Sequence, residues 1–235
     1  MTSFDFDSIG KNIAEVRHTI TRTALACGRN PESIRLVVVS KTMPCEIVSQ
    51  ALKSGIQILG ENYIQEATCK AADLGEFPVS WHFIGHLQSN KAKTAVQLFD
   101  LIHTVDSRKT ALELNRQAEK IHKCQKILIQ VNVAGEATKS GIAPEKTQEL
   151  LEEISRLDHL SVRGLMTMPP YEKNPESARP HFKALYLLGK TLEQAGISGI
   201  SMEELSMGTT HDFPVAIEEG ATLVRIGTAI FGKRK

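Results

Sequence analysis

A chain of 235 residues with 28 Lys and Arg against 27 Asp and Glu can bury a large core, and its formal charge of +1 gives no reason to expect nucleic acid or an anionic membrane as partner. Its 41% hydrophobic residues include no run of membrane-spanning length, so the composition is that of an ordinary globular protein. Cys27, Cys45, Cys69 and Cys124 stand apart without a Cys-x-x-Cys pair, which argues against a zinc ribbon or disulfide framework and for a reducing cytoplasm.

The acidic start, Met1 to Asp7, lacks the basic region and apolar stretch of a secretion signal. Ile9, Ile13, Val16 and Ile20 then recur at helical spacing and Gly28 supplies a stop, which predicts a helix ahead of the first strand. That strand is the apolar run Leu36-Val37-Val38-Val39-Ser40-Lys41, of the kind covered on both faces in a parallel sheet, and it closes on an amine. Ile47, Val48, Ala51 and Leu52 mark a helix ended by Gly55. Ile56 to Leu59 reads as the second strand and Asn62 to Gly75 as the next helix.

The third strand is Trp81 to Ile84, followed by a helix capped near Ser89. Leu101 to Val105 is the fourth, with Asp106 or Ser107 capping the helix after it. Lys126 to Val133 is the fifth and longest, and Pro144 stands where a first-turn proline belongs, before Leu150, Leu151, Ile154 and Leu157. Val162 to Met166 is the sixth, and Phe182, Leu185, Leu188 and Leu192 stripe a helix that stops at Gly196. Met202 to Ser206, a short helix near Asp212 and Pro214, and a final strand from Thr222 to Ile226 complete the series. Eight β-then-α units predict an α/β TIM (β/α)8 barrel, one domain over residues 1–235, with an extra N-terminal helix. Glu203 to Ser206 and Trp81 to Ile84 are weakly apolar, which leaves an open doubly wound sheet as the alternative.

In a barrel, Lys41, Asn62, His86, Met166, Ser206 and Gly227 fall at or just beyond strand C-termini, the face where active sites assemble. A strand-end lysine alone is usually just solvated. Two later segments change that reading. In Leu205-Ser206-Met207-Gly208-Thr209-Thr210-His211-Asp212, two short hydroxyls flank a glycine. In Val224-Arg225-Ile226-Gly227-Thr228-Ala229-Ile230-Phe231-Gly232, a glycine permits close approach and Thr228 opens a helical turn. Together they suit a dianionic phosphate, held by hydroxyls and N–H groups after strands seven and eight. Arg225 sits in an otherwise apolar strand and needs a partner, either a strand-end carboxylate such as Glu61 or the nitrogen of a bound pyridine ring. A cationic donor there would keep that nitrogen unprotonated and weaken the ring as an electron sink.

Other patterns fail on their chemistry. Gly227 to Arg234 nearly spells a phosphate-binding P-loop, but Arg234 replaces the Mg²⁺-binding hydroxyl. His82 and His86 have metal-ligand spacing without an accompanying glutamate, so pocket lining or hydrogen bonding is expected and no metal is assigned. Lys233-Arg234-Lys235 reads as a solvated tail.

The order of Val38-Val39-Ser40-Lys41-Thr42, Gly60-Glu61-Asn62, His82 to Lys91, Gly164 to Met168, Leu205 to Gly208 and Val224 to Gly232 resembles the pyridoxal phosphate homeostasis protein family, the YggS/PROSC group. The resemblance runs nearly end to end. It implies a barrel similar to the N-terminal domain of alanine racemase, with pyridoxal 5'-phosphate (PLP) as cofactor, held as an aldimine on Lys41. It also implies that Ser206, Thr210, Gly227 and Thr228 hold the phosphate and that Arg225 faces the pyridine nitrogen. Asn62, Met166 and Gly208 complete the expected cofactor-binding set. Where many members read Ser-Met-Gly-Met-Ser, this chain has Ser206-Met207-Gly208-Thr209-Thr210, which keeps the last hydroxyl.

A racemase needs acid-base groups on both faces of its substrate, and nothing in this sequence supplies an obvious tyrosine opposite Lys41. The expectation is therefore a cytoplasmic, monomeric PLP carrier in vitamin B6 homeostasis, acting on amino-acid pools without strong turnover and with PLP-dependent apoenzymes as recipients. A one-domain PLP-dependent racemase or lyase is the enzymatic alternative. An aldolase using Lys41 on a sugar phosphate is a third reading.

Overall fold

The computed structural model describes residues 6–136 and 139–232; the first five residues of the acidic start and the basic tail, with the end of the P-loop-like run, lie outside the described residues. Eight strands, β1 (Arg35–Val39), β2 (Ile58–Glu61), β3 (Ser80–Phe83), β4 (Leu101–Val105), β5 (Gln125–Gln130), β6 (Leu160–Met166), β7 (Ile200–Thr209) and β8 (Leu223–Ile226), close into a barrel in sequence order. Every neighbouring pair is parallel, and β8 returns to β1 with Val37 opposite Arg225 and Val38 opposite Ile226. The closed ring excludes the open sheet.

The helices are α1 (Phe6–Ala26), α2 (Cys45–Lys53), α3 (Ile64–Asp73), α4 (Ala92–Leu98), α5 (Arg108–Glu119), α6 (Thr147–Ile154), α7 (Arg179–Gln194), α8 (Phe213–Glu218) and α9 (Thr228–Phe231). Ser107 caps α5 by accepting the Thr110 amide, and proline occupies the first turn of α7 and α8. α1 packs on α2, α8 and α9 and so covers the seam between β8 and β1. Its Ile9, Ile13, Val16 and Ile20 are all buried, each contributing about 1.5–3 kcal/mol by the usual transfer scale.

Alternation along the strands sorts the core into two layers. Val37, Ile58, Leu101, Leu128, Met166 and Leu223 form a separate cluster inside the ring, while the larger cluster lies between strands and helices.

Several boundaries differ from the sequence reading; β1, for one, ends at Val39 and leaves Ser40 and Lys41 beyond it. β2 begins at Ile58 because the Ile56 amide donates to Ala51 O and finishes the end of α2. β5 ends at Gln130: the Val131 amide still donates to Met166 O, but Val131 is bridged to Ile142 and the Asn132 amide turns to Ile142 O. The longest strand is instead β7, at 10 residues. Its weak hydropathy has a local cause: Glu203 and Glu204 pair with Arg163 and Arg35.

Candidate binding site at the barrel mouth

A cavity of about 510 Å³ opens at the strand C-termini, within the range of small-molecule sites. Lys41, Asn62, Met166, Thr210, Arg225, Gly227 and Thr228 line it, together with Val39, Ile84, Met168, Tyr171, Thr209 and His211. The ends of five strands, β1, β2, β6, β7 and β8, thus bring seven of the expected residues to one space. Ser206 and Gly208 support it from behind, and His86 lines a neighbouring depression with Tyr63 and Lys91.

Lys41 is half-buried and stands two residues past the end of β1, in a turn closed by the Met43 amide donating to Ser40 O. Thr42 in that turn has φ 63°, a left-handed conformation that costs a β-branched residue energy. The surroundings hold it. Glu66 Oε1 accepts the Thr42 amide at 2.5 Å and the Lys70 ammonium at 2.6 Å. Lys70, almost fully buried on α3, also donates to Ser40 O at 2.5 Å and to Glu61 Oε1 at 2.7 Å. Ser40 Oγ donates to the same Glu61 oxygen. Burial pushes the Glu61 carboxyl above its usual range, and the Lys70 ammonium and Ser40 hydroxyl pull against that shift. Glu61 therefore belongs to Lys70, and the expected alternative of a Glu61–Arg225 ion pair does not form.

Arg225 points inward from β8 to the floor of the cavity. It donates to Ser206 Oγ at 2.5 Å and to Thr167 O at 2.9 Å, both neutral acceptors. Desolvation lowers its pKa to about 10, with Asp212 acting in the opposite sense. Ser206 Oγ also meets His103 Nδ1 at 2.9 Å, and His103 Nε2 meets His82 Nδ1 at 3.0 Å. Burial drops His82 to about 3 and His103 well below its usual value, so both rings are neutral. The direction that leaves no hydroxyl hydrogen unpaired runs from Arg225 through Ser206 and His103 to His82. His82 is thus a hydrogen-bonded core histidine, as its sequence context suggested, and among the described residues no cluster with metal-binding potential occurs. His103 escaped the sequence reading. Its signal was a single imidazole on the inward face of the apolar Leu101–Val105 run.

The loops after β7 and β8 meet through one bond, the Ala229 amide donating to Thr210 Oγ1 at 3.3 Å. Asp212 Oδ1 accepts the Thr209 amide at 2.6 Å and shapes the first loop. Gly208, at φ 89°, lies so close to α8 that an added Cβ would sit 2.5 Å from Ala216 Cβ. Its role is close packing behind the loop. Gly227 begins α9, its carbonyl accepting the Ile230 and Phe231 amides.

On the opposite wall, Gly85 packs so tightly on the backbone of Asn62 that a Cβ would fall 2.1 Å from Asn62 O. Asn62 lines this wall, and its Oδ1 is buried without a hydrogen-bond partner. At the rim, Tyr171 stacks at 5.2 Å on His211, whose Nε2 meets Lys173 O, and so ties the loop after β6 to the loop after β7. Tyr171 and Met168 are 77% and 49% exposed, so the mouth is open to water.

The sequence profile described as alanine racemase, N-terminal domain, matches residues 5–235. The chain is 44% identical over 231 residues to the pyridoxal phosphate homeostasis protein of Vibrio alginolyticus, covering 97% of this chain and 98% of that one. It is 42% identical over 225 residues to the protein of that name from Aquifex aeolicus, at 96% and 98% coverage. PipY of Synechococcus elongatus, solved with PLP bound, superposes with TM-score 0.85 at 34% identity, covering 95% of this chain and all of that one. Alanine racemase of Clostridium difficile shares the fold, with TM-score 0.73 at 16% identity, and this chain spans 57% of it.

Proposed function

The chain belongs to the pyridoxal phosphate homeostasis protein family, and from that premise we propose that it holds PLP at the barrel mouth as a carrier in cellular PLP homeostasis. The observation that carries the reading is the cavity itself, in which an amine, a buried guanidinium and a hydroxyl-glycine cradle face one space of ligand size. When bound, PLP supplies an aldehyde able to link covalently to a primary amine. Lys41 is the amine in this reading. Thr210, Gly227 and Thr228 take the phosphate, with Gly208 setting how closely the loop packs behind them. Arg225 takes the ring nitrogen, and Met166 and Asn62, both lining the cavity, bound the ring. Ser206 contributes by holding Arg225 from below.

The residues fit a holder better than a catalyst. Burial lowers the Arg225 pKa only to about 10, so the guanidinium stays cationic near neutral pH, which disfavours a protonated ring nitrogen and so a strong electron sink. Tyr171, the tyrosine at the rim, stands in water, where a proton is not controlled by a dry enclosure. In this reading residues 1–235 act as one PLP-binding domain, monomeric and cytoplasmic, passing PLP to dependent apoenzymes. No helix among the described residues is long and apolar enough to cross a membrane.

Lys41→Ala tests the assignment. The parent incubated with PLP should gain visible absorbance and, after borohydride, a covalent mass increase on Lys41. The variant should lose both while keeping its melting temperature, because Lys41 is half-buried in a turn outside the core. A borohydride-fixed adduct of equal yield in the variant would show that another amine is used.

A further inference from the structure

We infer that Lys70 is a positioning residue for Lys41: its buried ammonium, acting through Ser40 and Glu66, fixes the two peptide planes that flank Lys41. The inference rests on the reading of Lys41 as the amine that holds the cofactor. The Ser40 carbonyl belongs to the peptide on the N-terminal side of Lys41, and the Thr42 amide belongs to the peptide on its C-terminal side. Lys70 Nζ bonds the first directly and reaches the second through Glu66 Oε1. Two fixed peptide planes determine φ and ψ of the residue between them, and so the direction of its Cα–Cβ bond. The Lys41 side chain thereby leaves the backbone toward the cavity it lines.

Neutralising Glu61 does not account for this geometry. A single ammonium hydrogen satisfies Glu61 Oε1, yet all three reach acceptors. Two of those acceptors lead to the turn. Lysine side chains on helices ordinarily extend their charge to water, whereas this one is 3% exposed and turned beneath a loop with a left-handed threonine. Lys70 and Glu66 lie one helical turn apart, so α3 delivers the pair as a rigid unit.

The experiment separates aiming of Lys41 from general support of the cavity by using two ligands. PLP carries the aldehyde, whereas pyridoxine 5'-phosphate has the same ring and phosphate and cannot link to an amine. Their dissociation constants are measured on the parent and on Glu66→Gln and Glu66→Leu. Glutamine keeps an oxygen that accepts both the Thr42 amide and the Lys70 ammonium, and leucine keeps neither bond. Misplacing a reacting group by about 1 Å costs about a hundredfold in reactivity, so Glu66→Leu should lose about tenfold or more of the preference for PLP and slow adduct formation. Glu66→Gln should stay within about threefold of the parent on both measures. Pyridoxine 5'-phosphate should bind all three proteins alike. If Glu66→Leu does not fold, the double variant Lys70→Met with Glu61→Leu removes the ammonium from Ser40 O and from Glu66, leaving only the Thr42–Glu66 bond, without stranding a buried ion pair partner. An unchanged preference in whichever of these folds, or equal weakening of both ligands, overturns the inference. A parent that forms no adduct on Lys41 overturns the functional reading instead.

Discussion

Two buried cations flank the cavity, and they are compensated in opposite ways. Lys70, outside the barrel wall, lies against two carboxylates and one carbonyl, with every ammonium hydrogen used. Arg225, inside the barrel, is hydrogen-bonded to a hydroxyl and a carbonyl, and Asp212 reaches it only through longer-range attraction. The first is a closed structural charge. The second keeps an unneutralised guanidinium at the floor of a cavity, and a buried cation in that state favours an electron-rich acceptor beside it. In the proposed reading, the difference separates the residue that shapes the site from the residue assigned to the ligand.

The largest test of this contrast is stability without ligand. Lys70→Met strands Glu61 and should cost about 3–5 kcal/mol in urea unfolding, as expected for breaking one side of a buried ion pair. Arg225→Met strands no hydrogen-bonded carboxylate. It leaves Ser206 and Thr167 short of a donor and relieves the burial of a cation, so its loss should stay within about 1–3 kcal/mol. Equal losses would mean that Arg225 is as fully compensated as Lys70 and would weaken its assignment to a ligand.

Next in size is the phosphate end. Thr228→Val removes a hydroxyl from the cavity wall at the start of α9. It should weaken PLP by about 1.5–3 kcal/mol, ten- to a hundredfold, while unphosphorylated pyridoxal loses much less. Equilibrium titration of both ligands measures the ratio, and a parallel loss would remove Thr228 from the phosphate assignment.

The two cations were not equally legible in the sequence. Arg225 announced itself, because a guanidinium in an apolar strand followed by Gly227-Thr228 breaks a strong local pattern. Lys70 gave no such signal. In the run Glu66-Ala67-Thr68-Cys69-Lys70 it reads as a surface ion pair at helical spacing, and only the approach of the β1 turn to α3 buries it. The barrel was readable from eight apolar runs alternating with helical stripes, since period and length are local properties. Strand ends were less so. β5 was overextended because Val131 and Val133 continue the hydrophobic pattern while the backbone turns to Ile142 at Asn132. Ser206 shows the same limit within the site: its type and position suggested a phosphate ligand, while nothing local signalled that Arg225 on the adjacent strand and His103 across the barrel bond its hydroxyl.

The smallest effect comes from the neutral end of the Arg225 chain. His82 has its pKa lowered by burial from 6.5 to about 3 in the folded protein, so between those values the unfolded chain binds a proton that the folded one does not. Stability therefore rises with pH across that window, is fully present above the unfolded pKa, and is lost progressively as pH falls below it. His82→Gln keeps an oxygen to accept the His103 Nε2–H and removes the titration. Between pH 6.5 and 5.5 one such histidine accounts for about 1 kcal/mol, so the variant should lose that much less stability over this interval than the parent. Lys70 lies outside this chain, and the pH dependence of a Glu66→Leu protein should keep the parental slope there. A His82→Gln protein with the full parental slope would mean that His82 is already protonated in the fold, which would put a second cation beside His103 and reverse the donor order that leads back to Arg225.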